Sequence, residues 1–330
     1  MDLSLRLNVD KLINIYRQVS KDFKWKNSGN MNNLIALSYV MKGKDYIKEE
    51  IEQVNAYLKQ NTGPFSCYRQ KSVLFSALLV LNFPDPKAKF DILLDYEERL
   101  KQSGFRSYTY RPVTAYTLLL TCAPNKVDLR IAKAYEIFKA MRKAHPWLTS
   151  GDDYPLSILL AETEKPTSVL MSEIEGLYQE LHQAGFPRSN GLQFLSHVLS
   201  LSRENNKEKA ERCRKLYTYF KENKLKIYSR NYGSLGLLTL LGGQSDKAAM
   251  TVKEVCEYLR EDRSIRWLGK EALFLTATSL VTFVLLERIE KGSDLIQTNA
   301  FVTIESLMAA QNAAMLGATC AAYGTSMSGN

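Results

Sequence analysis

The chain has 330 residues, of which 45% are hydrophobic and 24% charged, and only nine are Pro and 17 Gly; this composition excludes a collagen-like or largely disordered protein. Its formal net charge of +9 permits binding to nucleic acid or to an acidic surface but does not require it. The five cysteines are scattered, no CxxC pair occurs, and no apolar run of signal-peptide length opens the chain, so we expect a cytoplasmic protein with reduced thiols.

From the N-terminus onward, an aromatic or apolar anchor recurs every 39–42 residues. The anchors are Trp25, Phe65, Phe105, Trp147, Phe186, Ile227 and Trp267. A second aromatic residue precedes each anchor by eight to ten positions, and an apolar pair or triplet follows most anchors about 12–14 positions later. Two markers that share one period over seven units indicate an internal repeat.

Each unit predicts two helices. The segment after an anchor, such as "VLFSALLVL", is apolar on most of its surface and predicts a buried inner helix. The segment before the next anchor has apolar residues at helical spacing, such as Ile174, Leu177 and Leu181, and predicts an amphipathic outer helix. Gly104 and Gly185 are placed to cap two outer helices at their C-termini. No segment alternates with the period of a strand, so the predicted fold class is all-α.

We therefore predict one helical-repeat domain over residues 1–299, built from about seven hairpins of ~40-residue period. The hairpins either close into an α/α toroid, which the apolar inner helices favour, or stay open as a superhelical α-solenoid. Residues 300–330 are rich in Ala and Met and predict a capping helix and a flexible tail of the same domain; the alternative for this segment is a partner-binding face. No apolar run is long enough to span a bilayer, so we expect no membrane insertion.

Several short motifs together resemble an uncharacterised bacterial family, the domain of unknown function number 4003. They are "FKWKN" near the N-terminus, "WLTSGDDYPL" in the centre, the recurring "L...GF" after a tyrosine, and "AAQNAAM" near the C-terminus. The resemblance covers essentially the whole chain. It implies a soluble protein of about this length and brings no activity, cofactor or catalytic residue.

An acidic pair, Asp152 and Asp153, lies at the start of the fourth inner helix. One interpretation is that Asp153 caps this helix by accepting backbone N–H bonds; the other is a functional acid. In a toroid the starts of all inner helices meet at one end, where aromatic, basic and acidic side chains would line a ligand pocket. The predicted cluster comprises Tyr68, Arg69, Tyr108, Tyr110, Arg111, Trp147, Asp152, Asp153, Tyr154, Asn231, Tyr232 and Glu271.

Complete catalytic patterns are missing from the sequence. Glycoside chemistry needs two opposed carboxyl groups, and adjacent acids at a helix start point apart, so Asp152 would need Glu271 as a partner across the ring. The three histidines lack metal-ligand spacing, His197 has the setting of a core residue, and no phosphate-binding loop occurs, so we predict no metal and no cofactor.

The leading hypothesis is a non-enzymatic binding or scaffold protein with a protein or small-molecule partner. The first alternative is an enzyme or small-molecule binder that uses the cluster around Asp152 and Asp153. The second is a nucleic-acid binder with a basic face, which is less favoured because basic residues mostly alternate with acidic ones.

Overall fold

The structure, a computed structural model, describes residues 1–202 and 204–290, with side-chain environments to residue 286. Fifteen α-helices and five short 3₁₀ helices form this part of the chain, and it contains no β-strand. Seven α-helices are amphipathic outer helices: α1 (Leu3–Asp22), α3 (Lys48–Gln60), α6 (Pro86–Gln102), α8 (Val127–Ala144), α10 (Thr167–Gln183), α12 (Asn206–Glu222) and α14 (Ser245–Glu261). The all-α prediction is confirmed.

Seven further helices each follow one outer helix along the chain: α2 (Gly29–Met41), α5 (Ser72–Asn82), α7 (Arg111–Thr121), α9 (Tyr154–Leu160), α11 (Asn190–Leu199), α13 (Tyr232–Leu240) and α15 (Lys270–Glu290). A single-turn helix, α4 (Cys67–Gln70), precedes α5. The inner helices are buried on nearly all sides; every residue of α9, for example, is buried. Outer helices bury one stripe, which in α10 includes Ile174, Leu177 and Leu181 as predicted.

Local signals in the sequence set the ends of the outer helices. At the start of α6, the Asp85 side chain accepts the N–H of Ala88 at 3.1 Å, and Pro86 occupies the first turn, where its missing donor costs little. At the end of α6, Gly104 has φ +107°, and the N–H of Phe105 donates to the carbonyl of Leu100. Gly185 has φ +100° after α10. Both predicted glycine caps are confirmed.

Each outer helix packs against the inner helix that follows it, and most inner helices pack against an inner neighbour. The last described helix, α15, also packs against α1 and α2 at the other end of the chain. Asn33 in α2 donates to Thr276 Oγ1 in α15 at 2.7 Å, and Tyr258 in α14 donates to Asp10 in α1 at 2.6 Å. The first and last hairpins of the described chain are therefore in direct contact.

The seven anchors do not share one environment, as a common structural position would require. Phe105, Phe186 and Ile227 are buried, whereas the remaining four anchors are largely exposed: Trp25, Phe65, Trp147 and Trp267. After α1 and α14, the buried residues are Phe23 and Ile265, two positions before the tryptophans. The anchor period therefore combines core residues that end a helix with residues on the loop surface.

No helix of the described part is both long and apolar enough to cross a membrane. The segment 300–330, for which a capping helix and tail are predicted, lies outside the described residues.

Candidate functional site

The predicted cluster lies on or beside the seven loops that join each outer helix to the next inner helix. We call these loops, residues 23–28, 61–71, 103–110, 145–153, 184–189, 223–231 and 262–269, the loop end. Contacts between successive loops and helix starts hold them side by side: Cys67 Sγ with Thr109 O (3.9 Å), Ser107 N with Tyr154 Oη (3.4 Å), Gln193 Nε2 with Thr149 Oγ1 (2.8 Å), Asn231 Nδ2 with Glu271 O (3.1 Å) and Gly29 beside Leu268.

The acidic pair lies in a 3₁₀ turn, Gly151–Asp153, directly before α9. Asp153 is buried, and its carboxylate accepts the backbone N–H of Ser150 at 2.9 Å. Its side chain makes no bond to the N–H groups of α9, so the interpretation that Asp153 caps that helix is wrong. The carboxyl closes the preceding turn instead, because the 3₁₀ turn directs it back toward residue 150.

Burial, with the nearby charge of Asp152 acting in the same direction, raises the pKa of Asp153 to about 8. Asp152 is partly exposed and accepts a hydrogen bond from the Ser150 hydroxyl. The two acids therefore have different environments although they are adjacent in sequence. Both are engaged with the same serine of their own loop.

Tyr154 and Tyr110 line the same region but serve the packing of neighbouring loops. The Tyr154 ring meets Phe105 edge-on with centroids 4.8 Å apart, and Phe138 at 4.7 Å. A Cβ added to Gly151 would lie 2.7 Å from the Tyr110 ring, so only glycine permits this approach of the two loops. Tyr154 is a core residue, because its ring is enclosed by helices α8 and α9 and the loop before α7.

The basic members of the cluster bind backbone carbonyls at the end of an outer helix or in the loop that follows it. Arg69 donates to the carbonyls of Lys59 at 2.8 Å and Thr62 at 3.0 Å, just after α3. Arg111 donates to the carbonyl of Arg106 at 2.9 Å and lies 3.5 Å from the carboxylate of Glu97. Orphan carbonyls at a helix C-terminus favour such cationic partners.

Tyr68, in α4, is almost fully buried among aromatic rings. It meets Phe75 and Phe90 edge-on, with centroids 4.8 and 5.4 Å apart. Burial raises the pKa of its phenol well above the usual value, and the charge of Glu97 acts in the same direction. Tyr68 is thus part of the core below the loops and not of an open pocket.

The remaining inner members form a second group between the sixth and seventh loops. Asn231 donates to the Glu271 carbonyl at 3.1 Å, and the Glu271 carboxylate pairs with Arg230 at 3.3 Å. Tyr232 is buried edge-on against Phe186, with ring centroids 5.2 Å apart. No described contact joins Glu271 to Asp152, so the structure does not assemble the opposed carboxyl pair that glycoside chemistry needs.

The loop end carries every exposed aromatic side chain of the residues whose exposure is described. Trp25 is 91% exposed, Trp147 95%, Trp267 79% and Phe65 80%. Tyr108 and Tyr228 complete the set. Six of the seven loops thus present one exposed aromatic ring each, and the exception is the loop at residues 184–189.

The same loops are basic. They contain eleven Lys or Arg residues against three Asp and no Glu, and ten of the eleven basic side chains are exposed. The six loops at the opposite end, residues 42–47, 83–85, 122–126, 161–166, 200–205 and 241–244, contain five basic and five acidic residues. Lys24 lies 5.2 Å from the Trp25 ring centroid and Arg266 4.9 Å from that of Trp267, so cations and rings share one surface.

Comparison with known proteins identifies the family of the chain. A family model described as "Protein of unknown function (DUF4003)" matches residues 15–313. The chain belongs to this family. It is also similar to the uncharacterised protein YeaA of Bacillus subtilis (strain 168), with 27% identity over 315 residues that cover 93% of this chain and 92% of that protein. No solved structure matches the chain. The suspected resemblance to family 4003 is confirmed.

Four exposed aromatics of this DUF4003 member lie outside the predicted cluster: Trp25, Phe65, Trp267 and Tyr228. The first three are anchors of the repeat. A signal was present in the sequence, because "KWK" and "RW" place cations directly beside a tryptophan. A cation beside a tryptophan in sequence is more typical of a solvent-exposed surface than of a core.

Four cysteines and one histidine of the described residues are enclosed. Cys67, Cys122, Cys213 and Cys256 are free and buried, and burial raises the pKa of Cys213 to about 12. His197 is buried in α11, as expected for a core residue, with its Nδ1 facing the carbonyl of Gln193. In the described part of the chain, no group of three His, Cys, Asp or Glu side chains is arranged to hold a metal ion.

Proposed function

We propose that this DUF4003 member is a non-enzymatic, cytoplasmic binding or scaffold protein that docks a partner on its loop end. The observation that carries the proposal is the location of the exposed aromatic rings, all six of which lie on that end. Exposed aromatic side chains are costly in water and are enriched where proteins bind partners. The opposite end has none of them among the described residues.

We also propose that residues 1–299 form one helical-repeat domain whose seven hairpins close into an α/α toroid. Contacts of α15 with α1 and α2 support closure, as does the hydrogen bond between Asn33 and Thr276. An open superhelix would keep its terminal hairpins apart. Closure would hold the seven loops in a fixed arrangement around one end.

The residues of the predicted ligand cluster support this function better than an enzymatic one. Asp153, Arg69 and Arg111 satisfy backbone groups, and Tyr68 and Tyr154 pack in the core. A general acid or base must instead lie within hydrogen-bond reach of a substrate. The exposed aromatic members, Trp147 and Tyr108, supply contact area for a partner.

Site-specific photo-crosslinking in the source cells tests the proposal. A photoreactive amino acid is introduced in place of Trp147, and in a matched strain in place of Leu129, which is 75% exposed near the start of α8 at the opposite end. We expect covalent adducts at position 147 and none at 129. Equal adducts at both positions, or none at 147, would contradict docking on the loop end.

A further inference from the structure

All three tryptophans of the chain lie on the loop end, and none lies in the described core. Their spacing is regular, since Trp25, Trp147 and Trp267 belong to the first, fourth and seventh loops. Tryptophan has a large apolar ring with one polar N–H group, and it is enriched at the boundary between water and the hydrocarbon of a bilayer. Without an external partner, a tryptophan ring would be more favourable in the core than in water.

Exposed cations lie beside two of these tryptophans and beside Tyr228, whereas the loop of Trp147 contains no Lys or Arg. Lys24 and Lys26 flank Trp25, Arg266 precedes Trp267, and Lys226 lies 4.8 Å from the ring centroid of Tyr228. Basic side chains at this distance from an interfacial ring can reach anionic headgroups while the ring enters the interface.

The acids of the loop end oppose this charge only weakly. Asp153 is buried, and Asp262 pairs with Arg17 of α1, which leaves the partly exposed Asp152. The opposite end has balanced loop charges and no exposed aromatic ring among its described residues. Positive charge and exposed rings thus coincide at one end of the molecule only.

We propose that the loop end docks on the surface of an anionic phospholipid bilayer, with the tryptophans in the interface and the Lys and Arg side chains at the headgroups. This inference rests on the proposed function and names its partner. A bilayer contacts loops side by side at the same time, which suits one ring per loop. A single nucleic-acid strand instead stacks successive bases along a groove. Docking of this kind requires no membrane-spanning helix, and none is present in the described residues.

The test uses the full chain with vesicles of phosphatidylcholine alone or mixed with phosphatidylglycerol. Because every tryptophan lies on the proposed contact surface, intrinsic emission reports docking directly. We expect co-sedimentation with the anionic vesicles, a blue shift of the emission, and quenching by brominated lipid. Neutral vesicles should give none of these changes.

Two variants separate the contribution of the basic side chains to vesicle binding from that of the tryptophan rings. The charge reversals Lys24→Glu, Lys226→Glu and Arg266→Glu, made together, should weaken binding to anionic vesicles by at least ~10-fold, because each cation near the surface contributes to attraction. The combination W25A, W147A and W267A should weaken co-sedimentation by a similar factor. The control, Lys126→Glu with Leu129→Ala, changes an exposed cation and an exposed apolar residue of the opposite end and should bind as the unchanged protein does.

Absence of binding, equal binding to neutral vesicles, or binding that survives both variants would overturn the lipid assignment. So would tight binding of a single-stranded oligonucleotide with which anionic vesicles do not compete. If the lipid experiments fail but crosslinks still form at position 147, docking on the loop end stands and only the partner is wrong. If both fail, the proposed function falls as well.

Discussion

Asp153 and His197 are ionisable side chains in the protein interior. Burial raises the pKa of Asp153 and lowers that of His197, and both shifts favour the neutral form. A buried charge without a close partner is costly, so a group in this position binds or releases its proton instead. The two shifts have opposite consequences for stability, because Asp is charged when deprotonated and His when protonated.

For Asp153 the folded-state pKa of about 8 exceeds the usual value of 3.8, so the unfolded chain binds fewer protons between these pH values. Stability from this group is therefore present at low pH and lost as pH rises toward 8. Asp153→Asn keeps an acceptor for the N–H of Ser150 and removes the charge. We expect it to stabilise the protein by roughly 1–3 kcal/mol at pH 8, and much less at pH 4.

Urea unfolding at the two pH values measures this effect, and Asp152→Asn is the matched control. The control changes a partly exposed carboxyl in the same turn and removes only the charge that helps to raise the pKa of Asp153, so at pH 8 it should stabilise the protein less than Asp153→Asn does. A destabilised Asp153→Asn protein at pH 8 would show that the carboxylate is charged and well solvated in the folded state.

Burial lowers the pKa of His197 to about 4, below the usual value of 6.5, so the folded protein resists protonation that the unfolded chain accepts. The contribution is present above pH 6.5 and is lost as pH falls toward 4. His197→Leu removes this acid sensitivity. We compare the free energy of unfolding of the variant with that of the unchanged protein. This difference should favour the variant by about 2 kcal/mol more at pH 5 than at pH 7.5. Thermal unfolding at both pH values measures the gain, and parallel stability curves for the two proteins would contradict it.

At the scale of elements, glycine allows two neighbouring inner helices to approach at the loop end. A Cβ on Gly191 in α11 would lie 2.1 Å from the carbonyl oxygen of Ser229, which belongs to the 3₁₀ turn before α13. The backbone carbonyl of Ser229 cannot move aside to relieve this clash as the end of a flexible side chain could. We expect Gly191→Ala to destabilise the protein by about 1–3 kcal/mol.

Gly243 provides the control for this substitution, because a Cβ there would meet nothing within 4 Å and its φ is not positive. Gly243→Ala should leave the free energy of unfolding unchanged or raise it by up to about 1 kcal/mol. Chemical denaturation compares the two variants. Equal effects at the two positions would show that α11 and the Ser229 turn adjust freely.

The predictability of each element followed from how local its determinants are. The buried stripe of α10 and the glycine caps after α6 and α10 can be predicted because each depends on residues within one or two turns. The hydrogen bond of Asp153 cannot be predicted in this way, because its carboxyl binds one backbone N–H group in a 3₁₀ turn and a different one in a standard N-cap. Arg69 and Arg111 were assigned to a pocket because sequence alone does not show which carbonyls lie within their reach.

At the scale of the whole molecule, the proposed closure of the hairpins into a ring can be tested at the contact between the first and last described hairpins. Asn33 and Thr276 are 243 positions apart in sequence, buried and hydrogen-bonded. A double-mutant cycle with Asn33→Ala and Thr276→Val should give a coupling energy of about 0.5–1.5 kcal/mol in denaturant unfolding. Strict additivity of the two substitutions would contradict closure, because residues at opposite ends of an open stack do not interact.

The distribution of charge is also a property of the whole molecule. The net charge of +9 does not locate a surface, because basic and acidic residues are mixed along the outer helices. The fold collects seven separate loops at one end, and most of the excess positive charge lies there. Loops that are about 40 residues apart in sequence become neighbours in the fold. The small excess of basic and aromatic residues in the separate loops thereby adds up to one basic aromatic surface.

By itself, the sequence determined the helical class, the order of buried and amphipathic helices, several helix ends and the family, because hydrophobic period and capping residues act over short distances. Only the tertiary structure decided which anchors are buried, which polar residues are used by the backbone, and that the first and last hairpins meet. Burial and hydrogen bonding at those positions depend on segments remote in sequence. Phe105 and Trp147 illustrate the difference, since equivalent positions in the repeat pattern became core in one loop and surface in another.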